Sequence, residues 1–367
     1  MELIYICIKG SMNFSSKKYL ILTLFVWIAV FSYAQEHKTI QLVTNLDVPW
    51  DMEWLNKEVI VFTELGGTIK QFNLKTHQVK EIFKVEELAR EVQSGLMGIA
   101  VHSDFKKNPF VYIVYTFYDT SFNLNTRVSR LRYSTQTEQL TNETILLDSI
   151  HCSSTNIGGR IIHHPDHYLY VTIGDAAYNP SAQDVSSLNG KILRINDDGS
   201  IPKDNPIKNS PIWTLGHRNP QGITLTPHGV YISEHGGFID DEVNKIEKGN
   251  NYGWPEVTGS VSTTKYTGSI YNWSTTIAPS GIDYCPNCIG TNESALLVSS
   301  LKNKKLKVLW FDEQHKIVKE TLLIDQEIGR IRDVLVSETG EIYICTSNKD
   351  IYGKHTKMKD GIFKLDF

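Results

Sequence analysis

Short alternating runs of Val, Ile, Tyr and Phe, cut by Gly, Asn, Asp and Pro, fill the chain beyond an apolar N-terminal stretch. Helical periodicity is almost absent there. Side chains that alternate with a period of two present one apolar face, which reads as half-buried β-strand. One phrase recurs: a short strand, a tight turn, then a strand ending on a polar residue or glycine. It appears as WDMEWLNKEVIVFTE from Trp50, MGIAVHSDFKKNPFVYIVYTF from Met97 and GRIIHHPDHYLYVTIGD from Gly159. It returns as QGITLTPHGVYISEHG from Gln221, SGIDYCPNCIGTNESALLVSS from Ser280 and RDVLVSETGEIYICTSN from Arg332.

A spacing of roughly 45–60 residues between copies points to a β-propeller, because each small sheet must bury its faces against its neighbours. The predicted fold is an all-β, six-bladed propeller, and a β-sandwich would not repeat one hairpin phrase six times. Thr39 to Val43 is expected to add a strand to the last sheet, which ends in Gly361 to Phe367. No Pro/Ser-rich linker divides the chain, so residues 35–367 read as one domain.

Residues 1–34 read differently. Lys17 and Lys18 precede an apolar run from Tyr19 to Val30, followed by Phe31-Ser32-Tyr33-Ala34. A basic segment, a short apolar segment and small residues before Gln35 make a secretory leader, with a membrane anchor as the alternative. Export implies a periplasmic or secreted protein with no membrane span after cleavage. It also sets the redox environment of Cys152, Cys285, Cys288 and Cys345. Cys285-Pro-Asn-Cys288 reads as a local disulfide, with a redox or metal pair as the alternative. Cys152 and Cys345 read as small buried hydrophobes.

The chain carries a formal net charge of −4 with 21% charged residues mixed along it, and no basic face argues for nucleic acid. The unusual residues gather in loops. GHRNPQG (Gly216 to Gly222) enters the fourth copy and SEHGGFIDDE (Ser233 to Glu242) leaves it, followed by NNYGWP ending at Pro255. Arg330 and Arg332 stand two apart, which on a strand puts both guanidinium groups on one face.

In the same order and at similar spacing, GHRNPQG, SEHGGFIDDEVNKI and NNYGWP occur in the soluble quinoprotein aldose and glucose dehydrogenases of the glucose/sorbosone type. The chain resembles that family from Val48 to Asp333. The resemblance implies a dehydrogenase that uses pyrroloquinoline quinone (PQQ) and calcium to oxidise an aldose sugar at its anomeric carbon to a lactone. Electrons would pass to a separate acceptor. It assigns Gln93, Arg218, Asn219, Thr276, Lys302, Arg330 and Arg332 to the cofactor. Three cations around the rim of a planar tricarboxylate make chemical sense, and arginine pairs with carboxylate as a two-pronged donor. Donors such as Arg218 and Asn219 belong where negative charge develops on the quinone oxygens.

Gly236 and Gly237 match carbonyls that hold a calcium ion, although the family usually has Gly-Pro there. Glu242 and the Tyr252 carbonyl match a second, structural calcium site. Asn156, in STNIGGR, stands where the family keeps its catalytic histidine, while the orienting carboxylate remains as Asp175. An amide has no usable basicity near neutral pH. Of the nearby histidines, His163 and His164 read as packing or solvent-facing residues, and His151 as one that would have to fold back. A non-catalytic sugar- or quinone-binding propeller is the competing expectation. A lactonase-type hydrolase lacks a legible nucleophile or metal cluster.

Overall fold

The computed structural model describes residues 38–325, 327–353 and 357–367; the predicted leader over 1–34 lies outside them. Among the described residues, twenty-four strands form six antiparallel sheets of four. The innermost strands are Pro49–Asn56, Leu96–Val101, Gly158–His164, Asn219–Thr226, Pro279–Cys285 and Ile331–Val336, and each contacts the next around a ring. We number the blades one to six in that order. The predicted six-bladed propeller is the observed fold.

The ring closes by pairing the two ends of the chain. Lys38–Leu46 lies outermost in blade six, beside Asp360–Asp366. The strand expected over Thr39 to Val43 is therefore present and extends to Leu46. Closure leaves the ring no open seam.

Apolar residues on opposite faces of successive sheets meet between blades. Met97, Tyr112, Val128, Ile161, Leu169 and Val171 form one such layer between blades two and three, and all are buried. Burial on both faces explains why many strands read as nearly continuous apolar runs. Phe110–Tyr118 is the clearest example, with seven consecutive buried residues after the first. Cys285 and Cys288 form the expected disulfide, and Cys152 and Cys345 are buried and free.

Arg160 plugs the channel. From blade three its guanidinium reaches Asp51 of blade one and Asp333 of blade six, the latter at 2.8 Å. It also donates to the carbonyls of Gln221 at 2.8 Å and Arg332 at 3.2 Å. One side chain thus ties four innermost strands together and separates the two mouths of the channel.

Candidate active site

At one mouth, loops before and after the innermost strands enclose a cavity of about 590 Å³. Of the residues assigned by resemblance, Gln93, Arg218, Asn219, Thr276, Lys302, Arg330 and Arg332 all line it, as do Gly236 and Gly237. These positions span 240 residues of sequence, from 93 to 332, and the ring topology alone brings them together.

The two arginines converge as their spacing predicts. Arg330 reaches Asp350 Oδ2 at 2.8 Å and Arg332 reaches the same oxygen at 3.4 Å. Arg332 also donates to Gln221 Oε1 at 3.0 Å, yet its buried Nε has no hydrogen-bond partner. Burial, only partly offset by Asp350, lowers its pKa to about 10. Lys302 binds the Thr276 hydroxyl, and Arg218 lies 5.4 Å from the Trp254 ring. Four cationic side chains therefore face one cavity; Asp350 bridges two of them, and Asp241 is a second carboxylate on the lining.

His235 lines the same wall with its buried Nε2 unpartnered. Burial, then Arg218 and Arg332, pushes its pKa down to about 3, so the ring is neutral. Unpaired buried nitrogens are costly unless a ligand satisfies them. A polyanionic, acceptor-rich ligand fits the four cationic side chains and the unpartnered Arg332 Nε.

Gly236 sits where a side chain cannot: a Cβ there would lie 2.1 Å from the Ile239 carbonyl oxygen. Asp241 pins the loop, accepting from Gly236 N at 2.8 Å, Ile277 N at 2.5 Å and Ala278 N at 2.8 Å. Among the described residues no hydrogen bond uses the carbonyl oxygens of Gly236 or Gly237. Free carbonyls beside a cavity suit a hard cation such as calcium.

Glu242 and Tyr252 do not line the cavity. Glu242 accepts from Gly259 N at 2.6 Å and Asn244 Nδ2 at 3.0 Å. Burial and then Glu234 raise its pKa to about 8. The Tyr252 ring stacks on His217 at 4.8 Å, and His217 Nδ1 lies 2.9 Å from Glu234.

Asn156 stands on the cavity wall in the left-handed region, φ 53°, which asparagine tolerates well. Gly174 makes room for it, since a Cβ there would lie 2.0 Å from the Asn156 carbonyl oxygen. Its side-chain amide donates to Asp175 Oδ1 at 3.0 Å. Asp175 is buried behind it, accepting also from Ala177 N at 2.9 Å and Trp254 Nε1 at 2.9 Å. Burial raises the Asp175 pKa despite these three donors. His151 ends a strand, exposed and opposite Asn125, and does not reach the cavity. His163 and His164 end the Gly158–His164 strand, away from this mouth.

Sequence reasoning missed Asp350, His235, Gln221 and Tyr352. Asp350 follows the last repeat in an ordinary turn and carried no signal. His235 lay inside SEHGG, whose glycines drew attention first.

Fold and site together define a six-bladed propeller with a cation-lined pocket at one mouth of a plugged channel. The chain belongs to the glucose/sorbosone dehydrogenase family, whose profile matches residues 46–353. It is 36% identical over 262 residues to quinoprotein glucose dehydrogenase B of Acinetobacter calcoaceticus, covering 63% of this chain and 55% of that protein. The chain thus spans about half the length of that relative. It is 28% identical over 332 residues to aldose sugar dehydrogenase YliI of Escherichia coli, covering 83% and 88% respectively. The PQQ-bound aldose sugar dehydrogenase of Streptomyces coelicolor superposes with a TM-score of 0.82 at 28% identity, covering 90% of this chain and 98% of that one.

Proposed function

We propose that this protein is an exported, PQQ- and calcium-dependent dehydrogenase that oxidises an aldose at its anomeric carbon to a lactone. The observation that carries this reading is the convergence of Arg218, Lys302, Arg330 and Arg332 on one cavity that also holds two unpartnered buried nitrogens. Lys302, Arg330 and Arg332 would hold the carboxylates of the cofactor. Arg218 and Asn219 would face its quinone oxygens, and the Gly236 and Gly237 carbonyls a calcium ion. When bound, the quinone supplies a two-electron, hydride-accepting centre.

The chain's own residues do the rest. Asn219 is held by two bonds: its N–H donates to Glu234 Oε1 at 3.2 Å, and its Oδ1 accepts from Gly158 N at 3.1 Å. Such a fixed donor array loses little reorganisation energy when charge develops in front of it. Asn156 lines the cavity and gives its side-chain N–H to Asp175, which leaves its side-chain carbonyl oxygen as the available acceptor. That oxygen can accept a substrate hydroxyl hydrogen bond and orient the sugar, but it cannot keep the proton. The proton leaves to solvent or to a weak base, which costs rate rather than binding.

Reconstitution tests the reading. The mature chain is loaded with PQQ and calcium, then given a panel of aldoses and a soluble redox dye as electron acceptor. Sugar-dependent dye reduction that needs both additions is the expected result. Tight quinone binding without reduction by any sugar would favour a binding propeller that has lost the reaction, a reading to which Asn156 lends weight.

A further inference from the structure

A second cluster of chemically capable side chains lies at the far end of the Gly158–His164 strand from Asn156. His102 follows the innermost strand of blade two, and His163 is the last residue but one of that of blade three. His167 sits in the turn that follows, and Asp197 comes directly after Lys191–Asn196. One donor atom from each of the four lies within 4.8 Å of the others. Asp197 Oδ2 is the centre, 3.4 Å from His102 Nε2, 3.7 Å from His163 Nε2 and 3.1 Å from His167 Nδ1.

We propose that His102, His163, His167 and Asp197 form a binding site for one zinc-class transition-metal ion, clamping blade two to blade three. Three imidazoles and one carboxylate are a nitrogen-rich, borderline-soft set, which suits zinc and its neighbours rather than calcium or magnesium. Tetrahedral zinc with bonds of about 2.0–2.1 Å needs ligand atoms about 3.3 Å apart, so donor atoms that lie within 4.8 Å of one another need close by at most about 1.5 Å. The His163 side chain is fully buried, and its Nε2 has no hydrogen-bond partner although it faces Asp197. A buried polar atom without a partner beside a carboxylate and two imidazoles is one that a bound cation would satisfy. His167, 60% exposed, gives the ion a way in.

The backbone adds a condition. His102 Nδ1 accepts from Asp104 N at 3.0 Å and His163 Nδ1 accepts from Ser103 N at 3.2 Å. Without metal, these bonds place each neutral ring's proton on Nε2, facing Asp197. A metal on Nε2 sends that proton to Nδ1, so both amides must turn away from the rings. Binding is therefore coupled to a local shift at Ser103 and Asp104. The site is structural, because a strand length of about 20 Å separates it from the sugar pocket.

The test uses the untagged mature chain, stripped with chelator and titrated with Zn²⁺ by calorimetry and with Co²⁺ by visible absorption. One equivalent of Zn²⁺ at sub-micromolar Kd and an intense tetrahedral Co²⁺ spectrum are expected. Histidine ¹⁵N spectra should show two rings switching tautomer. His163→Ala and Asp197→Asn should each weaken binding by at least about 100-fold, given that loss of an outer-shell partner alone costs 10–100-fold. His164→Asn, one residue outside the cluster, should change nothing. Because His163→Ala also opens a small core cavity, His167→Asn at the exposed ligand is the second variant, and it must weaken Zn²⁺ binding as well. Absence of stoichiometric uptake, or uptake that survives His167→Asn and Asp197→Asn, overturns the proposal. The four groups would then be a hydrogen-bonded cluster around Asp197 and nothing more.

Discussion

Asn156 donates its side-chain amide to Asp175 at 3.0 Å, so the carboxylate that the proposed function would use to orient a base here orients an amide. Histidine also tolerates the left-handed φ of 53° at this position. Asn156→His should therefore place an imidazole against Asp175 without backbone change. The expected outcome is a kcat at least about 100-fold higher, the lower end of what a general base contributes. Quinone affinity should stay within about twofold, since none of the cationic residues moves. Steady-state kinetics with a dye acceptor, alongside a quinone titration, checks both. Equal turnover in the wild type would place the proton acceptor elsewhere.

Asp350 keeps Arg330 and Arg332 from repelling one another in a buried wall. Burial pushes its carboxyl pKa up, but Arg332 and Arg330 more than reverse this and hold it below the ordinary value. Its ionised form thus contributes stability above the ordinary carboxylate range, which is lost as pH falls through the lowered pKa. Asp350→Ala should cost the cofactor-free protein about 3 kcal/mol in urea unfolding, as removing one partner of a buried ion pair does. Bound PQQ should restore much of the loss, because its carboxylates take the place of the missing one. A penalty of equal size with and without PQQ would mean that the two arginines do not hold the cofactor.

The repeats and the closing strand were legible because alternation and turn residues are local signals. The pocket was legible only through motifs: GHRNPQG, SEHGGFIDDE and the Arg330/Arg332 pair mark loops that share one mouth. Asp350 was not legible, since a lone aspartate in a turn looks the same whether or not two arginines fold onto it. His102 and Asp197 are 95 positions apart and share a site only because blades two and three pack together. His163 read as a packing or solvent-facing residue, and the structure settles this as burial, with the ring stacked 5.4 Å from Tyr112. Neither alternative pointed to the company it keeps. Arg160 is one unremarked residue of the STNIGGR segment in sequence, and it becomes the channel plug only where blades one, three, four and six close around it.

The far mouth holds carboxylates that set a pH dependence of stability. Burial raises the Glu53 pKa to about 8 and that of Asp283 to about 6. Folding therefore favours their protonated forms, and stability is fully present below the ordinary carboxylate pKa. It declines as pH rises toward 8. Glu53→Gln should leave stability unchanged near pH 4 and raise it by about 1 kcal/mol or more at pH 8. Urea midpoints at the two pH values measure this, and a variant equally stable relative to wild type at both would contradict it.

Arg160 is a buried cation with two buried acidic partners. Its positive charge faces Asp51 and Asp333, both held above the ordinary carboxylate pKa by burial even though Arg160 opposes that shift. Arg160→Met keeps the bulk of the side chain over Trp50, whose ring lies 4.5 Å from the guanidinium. It leaves two buried carboxylates without a cation and should cost about 3–5 kcal/mol near neutral pH. Asp51 also accepts from Ile99 N at 2.9 Å and Asp333 from Met52 N at 2.8 Å, bonds that an asparagine oxygen can keep. Adding Asp51→Asn and Asp333→Asn should therefore recover most of the loss. Acid should do the same for Arg160→Met alone, because protonation neutralises the stranded carboxylates. Chemical denaturation of the single and triple variants at pH 5 and pH 7.5 separates charge from packing. A deficit that persists in the triple variant at both pH values would show that Arg160 acts through its bonds to the Gln221 and Arg332 carbonyls instead.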